Sequence, residues 1–232
     1  MVGVNSGGST FLRPLSKEDP IGKWHRVSGT LTQVDTADNK VVGVKASTKV
    51  AYYRRGITPD KPVGTSWEPF GQGIIQIAIG DGKILGINTD FNVVIRTGIT
   101  ADDPHGKSWT VTGGLLKQIR IGSGQILGLT RDNIVYYRFG VDQQNPYGTD
   151  WRQLGGRALE QIEIGGGRIV GVDASGHVWY RWGLSPSQPF GKGWKTTVGS
   201  FKHISANERM IAGVEYGGSE VFFCHANTFP HS

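Results

Sequence analysis

A Trp recurs at Trp24, Trp67, Trp109, Trp151 and Trp194, at steps of 43, 42, 42 and 43 residues. A Gly followed by Val, Ile or Leu recurs at Gly3, Gly43, Gly86, Gly128, Gly171 and Gly213, at steps of 40, 43, 42, 43 and 42. Two markers on one period define a unit too short to bury a core alone, so neighbouring units must cover one another. The repeat runs through all 232 residues without a linker, and one domain over 1–232 is expected. It divides into a partial first unit at 1–28, full repeats from Trp24, Trp67, Trp109 and Trp151, and a partial last unit at 201–232.

Each unit contains four short apolar runs rich in β-branched and aromatic residues. From Trp109 they read WTVTGG, LLKQIRIG, ILGLT and IVYYRFG, parted by SGQ, RDN and a Gly/Pro loop. No stretch has the length and period of an amphipathic helix. Four antiparallel strands every 40 to 45 residues is the arithmetic of a β-propeller blade, in which each small sheet hides both faces against its neighbours. No Trp is followed by Asp, which argues against the WD40 version. Gly-Val runs number six, as do the YYR-like runs at Phe11, Tyr52, Val94, Tyr136, Trp179 and Phe222. Inner runs number five, beginning at Leu31, Ile74, Leu116, Leu159 and Phe201, and Trp runs also number five. An all-β, six-bladed propeller is therefore expected, lacking an inner strand in its first blade and an outer strand in its last. The segment Ala226 to Ser232, or another subunit, is expected to complete that seam.

Composition narrows function. The opening residues already belong to the repeat and carry no secretory signal, and no apolar stretch is long enough to cross a membrane. The one cysteine, Cys224, precludes an internal disulfide, so a cytoplasmic or non-classically exported protein is expected. The net charge of +6 is dispersed, with no Lys/Arg block, which points to a solvated surface and not to nucleic acid. The six His form no HExxH and no metal-ligand pair, and GDGK and GGGR occupy hairpin positions in the unit. No catalytic residues, metal or cofactor are expected.

One cassette does recur. It reads RRGITPDKPVGTSW from Arg54 to Trp67, RTGITADDPHGKSW from Arg96 to Trp109, RFGVDQQNPYGTDW from Arg138 to Trp151 and RWGLSPSQPFGKGW from Arg181 to Trp194. The first copy, Arg13 to Trp24, is two residues shorter, and a sixth is absent because Cys224 replaces the Arg. Arg offers a planar fork of donors suited to hydroxyls, carboxylate or phosphate, and Trp a flat apolar face for a sugar ring. Two bland readings stand beside this one: the Trp packs between blades, and the Arg bonds carbonyls to bridge adjacent blades. The residues two before each Arg read as blade-to-blade core. Gln33, Gln76, Gln118, Gln161 and His203 read as satisfied inner-strand polar groups, and the residues after each Gly-Val pair as turn entries.

The pattern W…G-x-L-x-Q-I, G-V, then YR-x-G…P-x-G-x-x-W resembles the tectonin repeat over nearly the whole chain, fungal tectonins in particular. That resemblance implies a metal-independent, multivalent lectin. It would recognise glycans of bacterial or nematode surfaces, including O-methylated mannose or fucose, in clefts between blades and in innate defence. Carried onto this chain, the clefts would be lined by Arg54 with Trp67, Arg96 with Trp109, Arg138 with Trp151 and Arg181 with Trp194, and less regularly by Arg13 with Trp24. An interaction scaffold and a lipopolysaccharide phosphate binder are the alternatives, and homo-oligomers remain open.

Overall fold

The computed structural model describes residues 1–14, 22–185, 187–206, 210–218 and 220–225. Strands and turns, with no helix, make up the described residues. The chain forms two compact units, 1–115 and 116–232.

The first unit holds three sheets. A three-stranded sheet contains β1 (Val2–Val4), β2 (Ser9–Leu12) and β3 (His25–Thr30). Next come β4 (Gln33–Ala37), β5 (Lys40–Lys45), β6 (Val50–Arg55) and β7 (Ser66–Gln72), then β8 (Ile74–Gly80), β9 (Lys83–Asn88), β10 (Asn92–Thr97) and β11 (Ser108–Leu115). Each sheet is an antiparallel meander in sequence order, and we call it a module. Apolar side chains from facing modules interlock: Val42, Val44, Ala51 and Phe70 of the second pack on Ile77, Ile79 and Ile84 of the third, all buried.

The second unit holds β12 (Gln118–Gly122), β13 (Gln125–Leu129), β14 (Ile134–Phe139) and β15 (Asp150–Ala158) as the fourth module. After it come β16 (Gln161–Gly165), β17 (Arg168–Val172), β18 (His177–Trp182), β19 (Gly193–Ala206), β20 (Met210–Glu215) and β21 (Val221–His225) in one six-stranded sheet. Among the described residues five sheets thus replace the six blades expected. The reason lies in β19, which runs 14 residues from the Trp strand into the inner run at Phe201. Gly199 at φ 106° and a register shift between Phe201 and His203 bend this strand without ending it. Among the described residues the first module has three strands, β1 to β3; the proposed seam segment from Ala226 lies outside the described residues.

Two sequence markers acquire causes here. In the hairpins that follow Gly86-Ile87 and Gly171-Val172, the next side chain caps the turn: Asn88 Oδ1 accepts the amides of Asp90 and Asn92 at 3.0 and 2.9 Å, and Asp173 Oδ1 those of Ser175 and His177, both at 2.9 Å. The inner-strand Gln zips one module to the next. Gln33 Nε2 donates to Ile77 O at 2.6 Å while its Oε1 accepts the Ile77 amide at 2.9 Å; Gln118 does the same to Ile162, and Gln161 to Ile204. The side-chain amide replaces a peptide group, so two parallel inner strands share hydrogen bonds without a ladder between them. Gln161→Leu strands both the N–H and the C=O of Ile204, which is 1% exposed. A loss of about 2–4 kcal/mol in urea unfolding is expected, with the denaturant slope unchanged.

Candidate functional site

Each cassette forms a loop whose shape follows from its own residues. A short oxygen-bearing side chain four residues after the Arg starts a tight turn: Thr58 Oγ1 accepts the Lys61 amide at 3.1 Å, Thr100 Oγ1 that of Asp103 at 3.0 Å, Asp142 Oδ1 that of Asn145 at 2.6 Å and Ser185 Oγ that of Gln188 at 3.1 Å. The Pro-x-Gly then turns the chain back beside the third strand of its sheet. At Gly106 φ is 68°, and a Cβ there would lie 2.6 Å from Thr97 O, so no other residue fits.

The conserved spacing of Arg within the cassette has a direct geometric meaning, because each guanidinium clamps its own loop. Arg54 Nε donates to Val63 O at 2.9 Å and Nη2 to Gly64 O at 3.4 Å. Arg96 makes the equivalent bonds to His105 O and Gly106 O, both 2.8 Å. Arg138 bonds Tyr147 O and Gly148 O at 2.8 and 3.4 Å, and Arg181 bonds Phe190 O and Gly191 O at 2.7 and 3.1 Å. Each also lies over its cassette's Trp, the guanidinium carbon 5.2 to 5.3 Å from the ring centroid. Burial pulls the pKa of all four below the ordinary arginine value. The carbonyl-bonding alternative therefore describes these Arg, with the carbonyls in the same loop and not in an adjacent blade. Arg13 lies over Trp24 at 5.6 Å, while most of its loop is outside the described residues.

The Trp side chains reach the preceding module. Trp109 Nε1 donates to Phe70 O at 3.2 Å and Trp194 Nε1 to Gly155 O at 3.1 Å. Trp67 abuts Gly29, but its buried Nε1 has no hydrogen-bond partner, nor has Nη1 of the buried Arg54. Trp24 is 47% exposed. Arg and Trp are brought together as expected, but as the frame of a loop and an inter-module contact.

What the frame encloses is visible between the first and second modules. A cleft of about 460 Å³ lies there, within the roughly 300–1,000 Å³ usual for small-ligand sites. Met1, Leu12, Arg13 and Pro14 of the first module line it, with Thr36, Asn39 and Val41 from the β4–β5 hairpin and Ile57, Thr58, Pro59 and Pro62 from the clamped loop. Its lining combines aliphatic and proline side chains with two hydroxyls, one amide and the cationic Arg13. Apart from Arg13, none of these residues stood out as a binding residue in the sequence. The signal available for them was the Thr-Pro after Arg-x-Gly, whose side-chain oxygen recurs at Thr100, Asp142 and Ser185 at the same place. Among the described residues no three His, Cys, Asp or Glu are grouped to hold a metal.

With modules, zipper and loops in place, the chain can be set beside known proteins. It shares its fold with Prp20p from Saccharomyces cerevisiae (TM-score 0.62, 13% identity, 97% of this chain and 69% of that one) and with human WBSCR16 (0.59, 15%, 97% and 73%). It is also similar to a chain of a nidogen/laminin complex (0.66, 12%, 96% and 88%). At such identities the likeness concerns fold alone, and it defines the class: an all-β propeller with four-stranded antiparallel blades. The Tectonin domain model matches residues 1–158, and a second model described as Propeller matches 169–196. The chain belongs to the tectonin family. No curated protein matches it in sequence.

Proposed function

We propose that this protein is a lectin that binds saccharides in the clefts between adjacent modules, with methyl-bearing sugars of bacterial or nematode surfaces as the preferred ligands in defence. The observation that carries this reading is the cleft between the first two modules. Its aliphatic and proline walls suit the C–H face of a sugar and an O-methyl group, and Asn39 with the threonines offers hydroxyl-compatible partners at the rim. Beneath it, Leu12 and Val41 belong to the buried cluster against which Ile57 and Trp67 also pack. The cassette Arg and Trp side chains act in this reading by holding the loop that forms one wall. At Arg54, Arg96, Arg138 and Arg181 the phosphate-binding alternative is disfavoured, because an anion would have to displace two backbone carbonyls from each guanidinium.

Burying one methyl supplies only ~0.8 kcal/mol, so a single sugar binds weakly. Several clefts facing a dense glycan surface raise apparent affinity by on the order of 10² to 10⁴ where the spacing permits. Micromolar to millimolar monovalent affinity alongside cell agglutination is expected. A glycan array with methylated and unmethylated hexoses and fucose, run on wild type and Asn39→Gly, tests the reading. Asn39 has φ 57°, so glycine keeps the backbone while removing the amide. Binding of methylated sugars that weakens about 2–10-fold in the variant supports it; an array without signal, or a signal indifferent to Asn39, refutes it.

A further inference from the structure

The tip residue between Pro and Gly differs from module to module, and in the third it is His105, whereas Val63 and Phe190 are apolar. Phe190 stacks on Tyr137, ring centroids 3.9 Å apart, and Val63 packs against an aliphatic cluster. His105 occupies the equivalent place between the second and third modules, its side chain 15% exposed. The ring stacks on Phe70 of β7 at 21° and meets the edge of Tyr53 of β6.

Every charged group facing this ring can be named. On its own loop, Asp103 Oδ1, buried and without a hydrogen bond, lies 2.6 Å from Nδ1, and Gly106 O lies 3.0 Å from the same nitrogen. From β6, Arg55 Nη2 reaches Nε2, and Arg55 Nε bonds Glu68 of β7. Glu68 Oε1 lies 3.4 Å from Nε2. From β10, Arg96 lies over Phe70, on which the imidazole stacks. The Gly106 carbonyl, which can only accept, places the proton of the neutral ring on Nδ1, beside the Asp103 carboxylate, which leaves Nε2 as the acceptor of the Arg55 bond. A second proton would set an Nε2–H against the Arg55 N–H and toward the Glu68 carboxylate.

We propose that His105 is a charge-operated latch on the contact between the second and third modules, its Nε2 passing from Arg55 to Glu68 on protonation. In the neutral state Arg55 spans from Glu68 to the imidazole and closes the outer margin of the contact. In the charged state Nη2 is released, and the loop tip is held instead by Asp103 and Glu68. The hydrogen bond and charge of Arg55 hold the Glu68 carboxyl below the usual carboxylate range, so Glu68 is still ionised where an imidazole gains its proton. The Val63 and Phe190 contacts contain no such group, so a fall in pH alters the His105 contact and spares those two.

The test is ligand-free. In the full chain labelled with ¹³C and ¹⁵N and titrated from pH 8 to 5, the His105 ring and the Arg55 Nε–H resonances are expected to move with one midpoint. The Arg55 shift is lost in His105→Phe, a residue the fold already accepts at Phe190, and equally in His105→Gln. An Arg55 resonance that stays still while His105 titrates, or that still moves in both variants, overturns the latch. A blank glycan array beside a coupled titration would refute the lectin reading and leave the latch standing.

Discussion

Gly171→Val should lower the stability of the protein by about 3 kcal/mol, a fall of roughly 6–12 °C in the thermal midpoint for a chain of this size. A Cβ at Gly171 would lie 2.5 Å from Leu159 Cδ1 and 2.8 Å from Gln161 O, the first a core side chain and the second backbone. Val170 and Val172 on either side are buried, so β17 cannot move away to make room. The same collision waits at Gly43 against Leu31 and Gln33 O and at Gly128 against Leu116, while Gly86 is looser at 3.2 Å from Ile74. Valine at Gly86 should therefore cost less than at Gly171. Thermal unfolding of the two variants checks this, and equal midpoints would contradict the packing account.

Arg96→Ala should be comparably damaging, at about 3–4 kcal/mol, and Arg96→Lys should not restore it. The substitution leaves the carbonyls of His105 and Gly106 without their donor and removes a 5%-exposed side chain from beneath Trp109. A lysine carries the charge but has no planar fork to meet two carbonyls at once. Denaturant unfolding measures the cost. Hydrogen exchange of the loop between β10 and β11 shows where it falls, with protection of the Gly106 amide lost first. A lysine variant as stable as wild type would mean that the charge, and not the fork, holds the loop.

The repeat was legible because both of its markers answer to packing. Trp at a fixed step meets a notch in the preceding module, and Gly before Val lies where a Cβ would strike the inner strand. The inner-strand Gln could be read as a satisfied polar group, but not as a zipper, because its partner lies 44 residues on and the amide needs a backbone whose position only the fold gives. The sixth blade was miscounted because counting runs assumes that each run ends its strand, and β19 carries two runs in one. For the cassette, chemistry alone suggested that Arg faces a ligand. Nothing in the residue types says whether a guanidinium nine or ten residues from a carbonyl will turn back to it, and loop geometry decides that. The cleft residues were hidden because Thr36, Asn39 and Pro59 are ordinary turn residues until two modules bring them together.

The proposed lectin function requires that clamped loops shape ligand clefts between neighbouring modules. Crystals soaked with a methylated monosaccharide test it most directly. Density bounded by Leu12, Thr36, Asn39, Thr58 and Pro59 is the expected result. Density confined to surfaces away from the loops, or a sugar bonded by a cassette Arg swung out of its loop, would contradict it.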